Sequence, residues 1–129
     1  MQVQQITRGI KISVISEYRG NFIKNRNIQY AYSYTIEILN QSNYKVQLLS
    51  RYWKIKDALN HVTIVKGEGV AGLQPVLLPN EKHTYTSGCL LKSTTGSMNG
   101  HYVLLNHDTQ KEFKVNIPIF QLSTDFGMN

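Results

Sequence analysis

Gly67, Gly69 and Gly72, in the stretch KGEGVAGLQP (residues 66–75), repeat the G-x-G-x-x-G spacing with which many dinucleotide-binding domains hold a pyrophosphate. That chemistry needs the glycines between a strand and a helix, whose N-terminal amides and dipole receive the phosphates. Here the chain continues LQPVLLPNEK, where Pro75 and Pro79 leave no room for such a helix, and no acidic residue follows a second parallel strand. A weaker form survives as the alternative: a glycine-rich turn aims successive N–H groups into a nest for an anion. Lys66 stands beside it, so Lys66, Gly67, Gly69 and Gly72, with Arg51 nearby, form a candidate nucleotide or pyrophosphate loop over residues 66–72. Glu68 inside the loop repels phosphate, and the plainer expectation is that the glycines supply positive φ angles and close packing.

Other reactive residue types show no productive spacing. His83 and Cys89 share one face of KHTYTSGC, yet six residues of strand hold them roughly 20 Å apart, too far for a common ligand sphere. His61, His101 and His107 lie on separate segments, and HxH, CxxC, HExxH and calcium-loop patterns are missing. No G-x-S-x-G elbow or other ordered nucleophile–base cue occurs, and Cys89 reads as a small buried or half-buried residue. The expectation is therefore no catalytic residue, no metal and no cofactor.

RYWKIK mixes basic and aromatic residues, as a surface for single-stranded nucleic acid does. On a strand, however, Leu49, Arg51, Trp53 and Ile55 share one side while Tyr52, Lys54 and Lys56 share the other. The side with Trp53 reads as core. Arg51, near a buried surface, then needs oxygen partners and is expected to brace the glycine loop through Glu68 or backbone oxygens. Nucleic acid is not the expected partner.

The elements that must position these residues are strands. Period-two alternation is clearest in IQYAYSYTIEI, which sends Ile28, Tyr30, Tyr32, Tyr34, Ile36 and Ile38 one way and Gln29, Ala31, Ser33, Thr35 and Glu37 the other. Further strands are predicted from Ile10 to about Tyr18, from Val46 to about Ile55, in HVTIV, in KHTYTSGCLL, in HYVLLN and in EFKVNIP. HDTQK is the hairpin turn between the last two. YRGNFIKNRN and residues 93–100, STTGSMNG, read as turn-rich or glycine-rich connections, and PVLLPNE as a short extended piece between prolines. About seven antiparallel strands in a chain of this length predict an all-β sandwich, immunoglobulin-like or fibronectin type III-like, with a closed barrel as the main rival. Tyr102 reads as a core tyrosine rather than a tyrosine corner. The tail IFQLSTDFGMN keeps Phe120, Leu122 and Phe126 and is expected to fold back over the sandwich, with a second subunit as the other option.

The totals agree with one ordered domain spanning residues 1–129. With 14 Lys and Arg against 8 Asp and Glu, the net charge is +6. The basic residues are scattered and never form the run that marks a basic tail. Cys89 is the only cysteine, which excludes an internal disulfide and fits a reducing compartment. The apolar runs are short and MQVQQITRGI lacks a signal-peptide core, so a cytoplasmic location and no membrane contact are expected.

Several ordered motifs carry a family resemblance. LLSRYWKI, then GEGVAGLQPVLLPNEKHTYTSGCLL, TTGSMNGHYVL and EFKVNIPIFQL, with the opening ITRGIKISVISEY, resemble the ApaG proteins, also called CorD, from about Ile6 to Leu122. The family's motif positions fall on Arg51 and Trp53, on Gly67, Gly69, Gly72 and Pro75, on Tyr85, Ser87, Gly88 and Cys89, and on Gly96, Ser97, Met98, Gly100 and Tyr102. Asn80, His83 and Leu91 depart from the common pattern. The resemblance implies an immunoglobulin-like or fibronectin-like sandwich in a small bacterial cytoplasmic protein. It also implies an association with cobalt resistance and magnesium efflux but no settled biochemical activity. Related domains serve as modules in a eukaryotic F-box substrate receptor and a polymerase delta-interacting protein, which implies protein recognition. The leading expectation is accordingly a non-enzymatic protein-binding module. Its recognition loops are 66–75 and 93–100, the latter carrying Gly96, Ser97, Met98 and Gly100. Its protein partner is unidentified, and a homodimer through an edge strand or the tail is the other assembly considered.

Overall fold

Tyr32, Tyr34, Ile36 and Ile38 are buried while Ser33, Thr35 and Glu37 between them are half-buried, the burial rhythm of a strand with one dry face. The computed structural model, which describes residues 2–124, contains nine strands. In chain order they are β1 (Gln2–Thr7), β2 (Ile10–Lys24), β3 (Asn27–Asn40), β4 (Val46–Asp57), β5 (His61–Glu68), β6 (Val76–Leu77), β7 (Lys82–Leu91), β8 (Thr95–Asn106) and β9 (Lys111–Ser123). They form two antiparallel sheets, β1-β2-β3-β7 and β5-β4-β8-β9, with β6 pairing on β4. The all-β sandwich of the immunoglobulin-like class is thus the architecture, with more strands than the sequence pattern separates.

Between the sheets, Trp53 of β4 packs against Tyr34 of β3 and edge-on to Tyr102 and Phe120. Fully buried Tyr102 shares a hydrogen bond with the hydroxyl of Tyr85, which ties β8 to β7 across the interior. Tyr102 is therefore a core tyrosine. The Ser16 hydroxyl donates to the carbonyl of Gln121, a second polar link between the layers. Phe120 and Leu122 are buried, but as residues of β9 paired with Met98 and Gly96 of β8 rather than as a tail folded back over the sandwich; Phe126 lies outside the described residues.

Bulges correct the strand reading in two places. A register shift between Leu48 and Ser50 reverses the parity of β4, so Val46 and Leu48 are buried and Leu49 is not on Trp53's core side. In β9 a shift opposite Met98 and Gly100 moves the core face from Val115 and Ile117 to Phe120 and Leu122; Pro118, lacking an N–H, sits at that break.

Two segments read as connections are strands. YRGNFIKNRN belongs mostly to β2, where the register shift between Tyr18 and Gly20 leaves Arg19 as the extra residue of a bulge; the turn itself is only Asn25 and Arg26, both at positive φ. Residues 95–100 are the start of β8, lying between β4 and β9 rather than in a loop. Glycine there serves close approach: a methyl group at Gly100 would overlap the carbonyl oxygen of Tyr52 on β4. Among the described residues no helix is long and apolar enough to cross a membrane.

Candidate functional site

Arg51 faces inward from β4, directly opposite Gly67 of β5. Its guanidinium lies over Gly67 so closely that an added methyl would stand 3.1 Å from both terminal nitrogens. Nη1 donates to the carbonyl oxygens of Glu68 at 2.9 Å and of Gly69 at 3.0 Å. Arg51 therefore clasps the glycine segment through backbone oxygens, the bracing role that its inward position requires.

The rest of the segment is held just as tightly. The Gly69 amide donates to the Leu49 carbonyl at 2.8 Å, and Val70 and Leu73 exchange both backbone hydrogen bonds at 2.8 and 2.9 Å. Between those two, Ala71 and Gly72 both take positive φ, as a two-residue hairpin turn requires. Val70 is fully buried, so the turn anchors in the core. Lys66 and Gly67 belong to β5 rather than to a loop. The carbonyls turned toward Arg51 and the inward amides of Gly69 and Val70 are the reverse of a nest, which aims amides at an anion. The glycine spacing reads here as loop architecture.

The second candidate set separates. Gly96, Ser97, Met98 and Gly100 lie on the central strand β8; the Met98 side chain is completely buried opposite Ile55, and only Ser97 among them directs a side chain to the outer face, beside Lys56. As a recognition loop this stretch is corrected to a strand.

Several groups with reactive chemistry are buried or hydrogen-bonded within the fold. Burial pushes the Cys89 thiol up to about 12, far from the thiolate that a nucleophile needs. Burial likewise raises Tyr34, Tyr85 and Tyr102 above the ordinary phenol value. Burial alone would push the Asp57 carboxyl up, but hydrogen bonds from Ser93 and from the amides of Lys92, Leu59 and Ser93 outweigh it and hold it below the usual range. Asp57 thereby ties the end of β4 to the β7–β8 connection. Among the described residues no three His, Cys, Asp or Glu side chains gather where they could hold a metal.

Two exposed features were not visible along the chain. On the outside of the five-stranded sheet, Tyr52 pairs in register with His101 of β8 and Lys66 of β5, and the Tyr52 and His101 rings stack with centroids 5.0 Å apart and planes 10° from parallel. Burial, and then the charge of Lys114, hold the His101 imidazole below its usual value. The other feature is a two-stranded ribbon. β1 reaches only to Ile15 on β2, and β7 only to Tyr30 on β3, so residues 20–29 run beyond both neighbouring strands. Ile23 and Ile28, paired across the ribbon, continue the dry face of β3 past the sandwich and are 76% and 49% exposed. No stretch of sequence announced this, because Ile28 belongs to the clearest core pattern in the chain.

The ApaG domain model matches residues 21–106. The chain is similar to Protein ApaG of Brucella abortus (strain S19), 41% identical over 117 residues that cover 91% of this chain and 89% of the relative. Protein ApaG of Beijerinckia indica is 40% identical over 122 residues, covering 95% and 93%. Among solved structures, an X-ray structure of a structural-genomics target superposes with TM-score 0.86 at 34% identity, covering 90% of this chain and 87% of that one. A crystal structure of a Bordetella pertussis protein gives 0.79 at 35%, covering 88% and 92%.

Proposed function

The chain belongs to the ApaG domain family, and from that premise we propose that it is a non-enzymatic protein-binding module whose contact surface is the β2–β3 ribbon. The observation that carries this reading is the overhang of a core-type face. Ile23 and Ile28 are paired, apolar and exposed, with Phe22 on the opposite side at 42% exposure and the cations Lys24 and Arg26 at the tip. A protruding ribbon also leaves backbone N–H and C=O groups on both outer edges open to strand addition. The occupant that fits is an extended, apolar protein segment with acidic flanks. The burial of the Cys89 thiol and the hydrogen-bonded state of Asp57 and of the Tyr85–Tyr102 pair support a role in binding rather than catalysis. Any part in cobalt resistance or magnesium efflux would be exercised through that partner, in the cytoplasm.

The test compares the wild-type chain with an Ile23→Ser/Ile28→Ser variant as immobilised baits in native lysate at moderate salt. A protein retained by the first and lost with the second, while both baits melt at similar temperatures, supports the reading. Identical captures by the two baits would sink it, and so would self-association as the only interaction in sedimentation experiments.

A further inference from the structure

Strand register brings together, on the outer face of the five-stranded sheet, cations that are far apart in the chain. Lys56 stands beside Ser97, which neighbours Gln121; Lys54 lies beside Asn99; Lys66, Tyr52, His101 and Asn116 form one continuous row; and Lys114 follows beside Val103. Lys56, Lys66 and Lys114 are exposed, and Lys54 is half-buried. Three described carboxylates adjoin these lysines: Asp57, next to Lys56, is held by Ser93 and the Lys92 amide, while Glu68 and Glu112 lie two residues along the strand from Lys66 and Lys114 and bound the patch on one side. None of the three forms an ion pair with these lysines.

We propose that this face binds single-stranded nucleic acid, with Lys54, Lys56, Lys66 and Lys114 on phosphates and the Tyr52–His101 pair stacking a base. Alternate residues of a strand lie roughly 7 Å apart, a spacing suited to successive phosphates of an extended strand. Both stacked rings are half-buried and keep part of their surface exposed, and base–aromatic stacking tolerates any base. A neutral imidazole, which burial and Lys114 favour at His101, is the form whose ring a base can cover without a charge to desolvate. Asn99, Asn116 and Gln121 add donors and acceptors for base edges. An acidic peptide would match the lysines but would leave the aromatic pair and these amides without complementary chemistry. An open sheet face also suits splayed bases better than a closed duplex.

Equilibrium filter binding of a labelled single-stranded oligonucleotide of about a dozen residues, RNA and DNA in parallel arms, tests this. Saturable micromolar binding is expected at low salt, with a log–log salt slope near −3, about −0.7 for each of four neutralised phosphates. Lys54→Glu combined with Lys66→Glu should weaken binding by about tenfold or more, and a matched reversal at Lys11 and Lys82 on the other sheet by less than about twofold. Tyr52→Ala should weaken it by about fivefold or more while the salt slope stays unchanged. Melting curves establish that each variant is folded. Absence of saturable binding by the wild type, equal losses from the two charge reversals, no loss with Tyr52→Ala, or equally tight binding of polyglutamate would each overturn the proposal.

Discussion

Arg51 and Lys54 stand three residues apart on one strand and carry the same charge, yet the two faces of β4 use them in opposite ways. Inside, the Arg51 guanidinium lies against Gly67 and binds the carbonyls of Glu68 and Gly69. Its hydrogen-bonding capacity is directed at its own chain because a cation near a dry interior must find oxygen atoms. Outside, Lys54 lies beside Asn99 and Ile64, with no carboxylate opposite it. A basic residue in a β-sandwich thus has no fixed role until its face is known. Parity alone turns one positive charge into a structural clasp and leaves the other available to a partner.

Removal of the inner charge has the largest expected effect. Arg51→Ala should destabilise the fold by about 2–3 kcal/mol, since it orphans two backbone carbonyls that a charged donor satisfied. Urea denaturation measures it, and a loss no greater than that of a surface lysine would abolish the distinction. Asp57, at the end of the same strand, extends the comparison to an anion. Asp57→Asn should cost about 1 kcal/mol at neutral pH, the carboxylate being partly solvated. Because its folded carboxyl is held below the ordinary value, its contribution is complete above the unfolded carboxylate pKa and disappears as pH falls through the lowered folded value. The acid limb of a pH–stability curve should therefore be shallower in Asp57→Asn than in the wild type. The smallest effect belongs to the outer face, where Lys54→Ala should change stability by no more than about 0.5 kcal/mol in the same denaturation assay.

The alternation from Ile28 to Ile38 was enough to find the sandwich, and the inward side of RYWKIK was enough to find the Arg51 clasp. The bulges at Leu49 and Pro118 were hidden, since Leu48–Leu49 and Ile117–Pro118–Ile119 are apolar runs in which a change of phase has no unique position. Glycine composition misled at residues 95–100, where Gly96 and Gly100 permit close strand approach rather than a loop. The cationic face was legible only in its first half. Tyr52, Lys54 and Lys56 follow from alternation along one strand, whereas Lys66, His101 and Lys114 join them through register, which a chain read in order does not display. The ribbon escaped notice for a related reason: Ile28 obeys the core pattern, and only the lengths of β1 and β7 decide that nothing covers it.

The single tryptophan is also an optical probe that the fold has installed at its own seam. Trp53 is 2% exposed and touches Tyr34 from the opposite sheet as well as Tyr102 and Phe120 from its own. Its emission should be blue-shifted in the native protein and should receive excitation energy from the neighbouring tyrosines. Any event that parts the two layers would redden that emission before the strands themselves come undone, so the separation of sheets can be timed apart from the loss of strand structure without attaching a label.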